Sequence, residues 1–355
     1  MDRLLPKAGV LAVAIIIMII ATALLACANS SGEPEEPEPE ETNLIEEDDL
    51  ILGTLVTLKV HADRDPEILR DQVREVMDEM QQRGCRLSVY CPDSETRRVN
   101  ASAGEPVEVS DEFYELLEYG LEVAERSDGV FDPTVGPLVD LWGFYTEEHR
   151  VPDEEEIEEA LKLVDWRDVE LSEGTVTLKP GMRLDLESLL KGLIADHAAD
   201  RLREMDVSGA LIISGSSTIA VIGESDSGRP WRIGLEHPRR PGDIYAALEV
   251  HDGEHVSTSG DYQRYFVDDD GVRYSHILNA NTGRPVEKII AATVVSGSSL
   301  RSDGISTAAM GCEPDEAISF IQSGGESDGL VITGDEEILY TDDMDARVEL
   351  LDGGL

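Results

Sequence analysis

Apolar side chains recur along this chain with two spacings, and the switches between them mark out its elements. Between Leu50 and Ala62, the residues Val56, Leu58 and Val60 alternate with polar neighbours, the two-residue period of a strand. From Glu67 to Gln82 the period becomes helical, with Leu69, Val73, Val76 and Met77 on one face. A short strand is predicted around Leu87–Tyr90, followed by the turn Cys91-Pro92-Asp93-Ser94. Ser110–Arg126 is a second amphipathic helix, closed by Ser127-Asp128-Gly129. Val130–Phe144 is too rich in Pro and Gly for a regular element. Its aromatic and apolar residues suit a loop lining a cavity and suit a core-packing loop equally well. Pro152–Leu163 forms an acidic helix, and a hairpin around Ser172-Glu173-Gly174 leads through Thr175–Leu178 to the centre of the chain.

That centre, Arg183–Met205, predicts a helix entered from a strand. Asp185 is placed to cap it, and Leu186, Leu189, Leu190, Leu193, Ile194, Ala198 and Leu202 form its apolar stripe. Lys191 falls on the flank of that stripe, beside Gly192. It suits a surface ion pair with Glu187 one turn earlier, and it suits a phosphate held at the helix start.

Strands are predicted at Ala210–Ser214, Ile219–Ile222, Trp231–Leu235, Ala246–His251, Tyr262–Val267 and Arg273–Leu278, the last two joined by Asp268-Asp269-Asp270-Gly271. Ala291–Val295, helices from about Ser302 and over Glu316–Ile321, and strands Leu330–Ile332 and Ile338–Tyr340 complete the pattern. Strands and helices do not alternate strictly. The expected fold class is therefore α+β, a mixed, largely antiparallel sheet with packed helices.

Composition adds a strong acidic bias: 75 Asp and Glu against 29 Lys and Arg in 355 residues, a net charge of −46. Such a surface repels nucleic acid and anionic lipid and suits a high-salt medium, where screening relieves self-repulsion. Residues 1–27 carry a short basic start and an apolar run from Ala8 to Ala26, the pattern of an export signal or an N-terminal membrane anchor. Leu24-Leu25-Ala26-Cys27 is similar to a lipobox. Either reading puts the folded part outside the cytoplasm, tethered by its N-terminus. Residues 28–47 read as an acidic Pro/Glu linker, and 48–355 as the folded domain. If Arg86–Tyr90 is a strand, Cys85 and Cys91 lie roughly 20 Å apart, beyond disulfide reach. They and Cys312 are therefore expected to be reduced, buried and dispensable.

Two further stretches carry chemistry. Val256–Val286 places Ser257, Thr258 and Ser259 beside Gly260, then a lone histidine, His276, before the turn Asn279-Ala280-Asn281-Thr282-Gly283. A Ser/Thr-Gly turn with a histidine suits acyl transfer, but no G-x-S-x-G elbow is present. In Ser302-Asp303-Gly304-Ile305-Ser306-Thr307, Asp303 and Thr307 stand one helical turn apart and face the same way. They suit a helix cap with a back-bonded threonine, or an oxygen site for Mg²⁺.

Taken together, Leu52-Gly53-Thr54, Tyr90 with Pro92-Asp93-Ser94, FDPTVGPLVDLWGF, LDLESLLKG, STSGDYQRYF, HILNANTG and SDGIST resemble, in order and spacing, the ApbE-type FAD:protein FMN transferases. The resemblance runs from Leu52 to about Tyr340. It implies an FAD site lined by Leu52, Tyr90, Val130, Phe131, Asp132, Asp185, Lys191 and Ile277. It also implies Mg²⁺ held by Asp303, Thr307 and the carbonyl of Ser188, with His276 near the reacting centre and Lys191 beside the pyrophosphate. The implied activity links FMN from FAD to a threonine hydroxyl of an acceptor protein, such as a membrane redox subunit, and releases AMP. An FAD pyrophosphatase and a non-catalytic flavin-binding lipoprotein are the competing readings. The chain departs from the family pattern in four places. Ser216-Ser217-Thr218 replaces Gly-Gly-Asp, Asn279 replaces an aspartate, Ala280 a proline, and Glu187 and Ser188 stand where glycine or alanine is common.

Overall fold

The computed structural model describes residues 43–355, apart from 147–148, 324, 326 and 352–353. The export signal or anchor predicted for 1–27, and most of the linker, lie outside the described residues.

An eight-stranded sheet runs through the molecule in the order Asn43–Ile51, Thr54–Ala62, Gly209–Ser214, Thr218–Gly223, His255–Gly260, Ile289–Ser296, Ser327–Thr333, Ile338–Tyr340. Every neighbouring pair in it is antiparallel. The expected α+β class with a largely antiparallel sheet is what the chain forms. Helices cover one face: Pro66–Leu87, Glu187–Glu204 and Ser299–Met310 pack on the sheet and on each other. A three-stranded sheet (Trp231–Glu236, Ile244–Val250, Val348–Leu350) covers part of the other face through Ile233, Leu235, Leu248 and Val250. Ile289–Ser296 lies between both layers, and all eight of its residues are buried. A strand closed on both faces loses the polar–apolar alternation that would mark it in a sequence.

The Glu187–Glu204 helix is similarly enclosed. Besides Leu189, Leu190, Ile194, Ala198 and Leu202, it buries Gly192, Ala195 and Ala199, so its apolar surface is wider than one stripe. Gly192 allows the close approach. A methyl group there would lie 2.5 Å from the Ser299 carbonyl oxygen and 2.6 Å from the Leu300 Cα.

Five expectations are corrected. The strand predicted at Leu87–Tyr90 is absent, because the preceding helix runs on through Leu87 and the chain then turns. Leu87 and Val89 alternate like a strand, but they leave a helix end. That shortens the span, so the Cα atoms of Cys85 and Cys91 lie 5.3 Å apart and the two residues form a disulfide. Cys312 alone is a free thiol among the described residues. The first described element is a strand, Asn43–Ile51, which lies partly inside the segment read as linker. The acids Glu46-Glu47-Asp48-Asp49 hid this strand, whose Ile45 and Ile51 point inward while Glu47 is held by Arg70 and Arg74 at 2.8 and 2.9 Å. Finally, Val130–Phe144 contains a short helix, Gly136–Trp142, and Asp185 stands two residues before its helix rather than at the cap, accepting from the Glu187 N–H at 3.0 Å.

Candidate active site

The turn of the first hairpin at Leu52 and Gly53, the start of the Glu187–Glu204 helix, the Gly215-Ser216-Ser217 turn, and the residues Gln263, Arg264, His276, Ile277 and Leu278 surround one cleft of about 1120 Å³. Of the residues singled out in the sequence, Leu52, Tyr90, Phe131, Asp132, Asp185, Ser188, Lys191, His276, Ile277 and Thr307 all line it. Sequence positions more than 250 residues apart thus meet in one place.

Two predicted residues stand behind the wall. Val130 accepts from the Ala280 N–H at 3.0 Å and braces the Asn279–Gly283 turn. Asp303 is buried, 2 % exposed, and one of its carboxylate oxygens accepts from the Gly192 N–H at 3.0 Å. In a regular helix that N–H points at the carbonyl of residue 188. Asp303 and the Ser188 carbonyl are therefore directed to one spot. Burial raises the pKa of Asp303, opposed by the Lys191 charge, the Gly192 N–H and the hydroxyl of Thr218. Thr218 completes no hydrogen bond of ordinary geometry and remains an unpartnered buried polar group facing that carboxylate. Thr307, one turn along, shares a contact of 3.1 Å with the Ser259 hydroxyl. Among the described residues, no three His, Cys, Asp or Glu side chains form a metal cage. The donors gathered here are one carboxylate, hydroxyls and a carbonyl.

Lys191 does not pair with Glu187. Its ammonium donates to the Ser217 hydroxyl at 2.7 Å, while Glu187 accepts from the Ser88 hydroxyl at 2.7 Å and the Val89 N–H at 2.8 Å. The serine that departs from the family pattern is thus the residue that holds the lysine in the cleft. Asn279 is similarly explained, since its amide donates to the Gly311 carbonyl at 3.0 Å, which an ionised aspartate could not do.

His276 is half-buried and places an imidazole in the cleft. Its Nδ1 lies 3.0 Å from the Arg264 carbonyl. A carbonyl only accepts, so Nδ1 holds the proton and Nε2 keeps a lone pair. Burial, reinforced by the charges of Lys191 and Arg264, pushes its pKa down to about 3, so the ring is neutral at ordinary pH. Glu187 is pushed up to about 7 and Asp185 to about 6, both mainly by burial, with Asp185 adding its charge against Glu187 and Asp140 its charge against Asp185. Asp132 is buried and already engaged within the protein. Thr134 and the Trp166 N–H occupy both of its oxygens at 2.6 to 2.9 Å.

Sequence reasoning named Tyr90 but missed Tyr145 and Arg264 beside it. The Tyr90 and Tyr145 rings lie 5.0 Å apart, and the Arg264 guanidinium sits 4.5 Å over the Tyr145 ring. Arg264 lay inside a quoted motif and Tyr145 directly after one, but only the folded chain puts the two together. An α+β protein whose cleft gathers the cations Lys191 and Arg264, a neutral imidazole and a tilted pair of aromatic rings suits a ligand that carries both phosphate and a flat ring.

The comparisons identify which protein of this class it is similar to. Residues 52–331 match the model of the ApbE family. FAD:protein FMN transferases of Klebsiella pneumoniae and Treponema pallidum are 30 % and 32 % identical to it, each over 86 % of this chain and 94 % and 88 % of their own. The ApbE protein of Thermotoga maritima superposes with a TM-score of 0.78 at 31 % identity, over 86 % of this chain and 99 % of that one. The flavinyl transferase ApbE of Pseudomonas stutzeri, in its apo form, gives 0.74 at 31 %, over 88 % and 98 %. The chain belongs to the ApbE family.

Proposed function

We propose that this protein transfers FMN from FAD to a threonine hydroxyl of an acceptor protein, releasing AMP, and that it does so with Mg²⁺. The observation that carries the reading is the meeting of Lys191, His276 and Thr307 in one cleft, with Asp303 buried behind them. Lys191 is placed to neutralise a pyrophosphate, and the Nε2 lone pair of His276 to take the proton of an incoming hydroxyl. The hydroxyl oxygen then bonds to the phosphorus of the FMN half. The P–O bond to the other phosphate breaks, and AMP leaves with the electron pair. The Asp303 carboxylate, the Thr307 hydroxyl and the Ser188 carbonyl fit a hard cation that keeps several waters and shares phosphate oxygens. Mg²⁺ held there would withdraw charge from the pyrophosphate. The activity of the similar Klebsiella pneumoniae and Treponema pallidum proteins, named as FAD:protein FMN transferases, supports the same reading.

The protein acts on the extracytoplasmic side, tethered by residues 1–27. Support comes from the apolar run of that segment and from the Cys85–Cys91 disulfide, a bond that persists in oxidising compartments. A membrane redox subunit is an acceptor such a tether could reach.

Intact-mass analysis of an acceptor fragment incubated with protein, FAD and Mg²⁺ tests the activity. Added FMN mass supports transfer. Free FMN plus AMP would replace it with an FAD pyrophosphatase, and unchanged FAD with a flavin binder. Asp303→Ala is expected to abolish metal-dependent turnover in a folded protein; full Mg²⁺-stimulated activity in that variant would remove the metal assignment.

A further inference from the structure

The disulfide lies against the cleft rather than at a remote edge of the fold. Cys91 lines the cleft directly after Tyr90, and Cys85 sits in the last turns of the Pro66–Leu87 helix. Between them, Ser88 and Val89 both bond to Glu187 at the start of the central helix. The Tyr90 N–H also donates to the Ser88 hydroxyl at 3.2 Å. On its other side, Cys85 Sγ accepts from the Gln81 amide at 3.1 Å, and the same Gln81 accepts from the Leu52 N–H at 3.1 Å. Leu52 has φ of +51°, a conformation a leucine holds only when its surroundings enforce it. Its side chain rests where a methyl group on Gly84 would stand, 2.5 Å away, so the helix end receives it.

We infer that the Cys85–Cys91 disulfide is a positioning element of the FAD site, locking Tyr90 and, through Gln81, Leu52 as two walls of the cleft. The inference rests on the flavin reading given above. Without the bond, the segment from Arg86 to Tyr90 is held at one end by the helix and at Ser88 and Val89 by Glu187. Tyr90, 49 % exposed, is then held only by its N–H to the Ser88 hydroxyl, by the turn bond from the Cys91 N–H to the Ser88 carbonyl at 3.2 Å, and by the ring contact with Tyr145. Ligand binding must then order a side chain and a turn that the bond had already ordered, which weakens affinity and leaves the reacting groups in place. The bond is also reachable. Both cysteines are half-buried and line an outer groove, so a small thiol can approach the bond.

The test compares oxidised protein, protein reduced until alkylation counts both thiols free, and Cys85→Ser/Cys91→Ser. FAD affinity is read by quenching of flavin fluorescence at a temperature where all three are folded. Turnover at saturating FAD is read with the acceptor fragment. The expected result is a rise of about tenfold in Kd and KM for FAD on losing the bond, with kcat within about twofold and recovery on reoxidation. Equal Kd values for oxidised and reduced protein would overturn the inference while leaving the flavin reading intact. So would a fall in kcat at constant KM, or free thiols in the protein as isolated. Failure of the oxidised protein itself to bind FAD would overturn the flavin reading and, with it, this inference.

Discussion

Gly192→Ala isolates the contact on which the site depends. On an exposed helix the exchange stabilises by up to about 1 kcal/mol, because alanine loses less backbone freedom than glycine. Here the added methyl group would stand 2.5, 2.6 and 2.7 Å from the Ser299 carbonyl oxygen, the Leu300 Cα and the Leu300 nitrogen. All three are backbone atoms and cannot rotate away. Restoring ordinary contact requires the two helices to separate by about 1 Å, given carbon contacts near 3.5 to 4 Å. Overpacking of that kind costs about 1–3 kcal/mol, and rigid partners put it at the upper end. Offsetting the helix gain leaves a net loss of about 2 kcal/mol, a fall in Tm of about 4 °C for a domain of this size. The chemical effect should be larger. Ser188 and Lys191 ride on one of these helices, Asp303 and Thr307 on the other, and Gly192 itself donates to Asp303. Misplacement by 1 Å can lower turnover about 100-fold. Differential scanning fluorimetry and the acceptor mass assay measure the two effects. A variant with unchanged or raised Tm and full turnover would refute the argument that this contact sets the site.

Other expectations follow from individual groups. Glu187, with its pKa raised to about 7, binds its proton more tightly in the folded than in the unfolded chain, so its contribution to stability is present below pH 4.5 and lost as pH rises through 7. Glu187→Gln keeps acceptors for Ser88 and Val89, and should raise Tm at pH 8 and flatten the melting profile across that window; a parallel profile would count against a buried, strained carboxyl. Asn279→Asp restores the residue usual in the family, yet it removes the donor to the Gly311 carbonyl, and chemical denaturation should show a loss of about 1–3 kcal/mol. With a net charge of −46, added KCl should raise Tm and lower the KM for FAD, since screening shortens the Debye length from about 30 Å at 0.01 M to about 3 Å at 1 M. A steady fall of both activity and Tm with salt, at fixed free Mg²⁺, would contradict the high-salt reading of the composition.

The sequence by itself determined the α+β class, most helices and strands, and the segments that would furnish a site. Periodicity records which face of a local element is buried, and that was enough to place Leu69, Val73, Val76 and Met77, or the hairpin around Asp268–Gly271, where they stand. Ordered motifs likewise named ten of the residues that line the cleft. Periodicity failed where acids covered an alternating strand, as in Asn43–Ile51. Only the tertiary structure decided the partners of each charge and thiol. Lys191 found Ser217 instead of Glu187, Arg264 found the ring of Tyr145, and Cys85 found Cys91. The reason is geometric: distances between segments depend on where a helix stops and how closely two helices approach. A few residues of continued helix before Ser88 changed a span of about 20 Å, expected for a strand, into a 5.3 Å contact across which a disulfide forms.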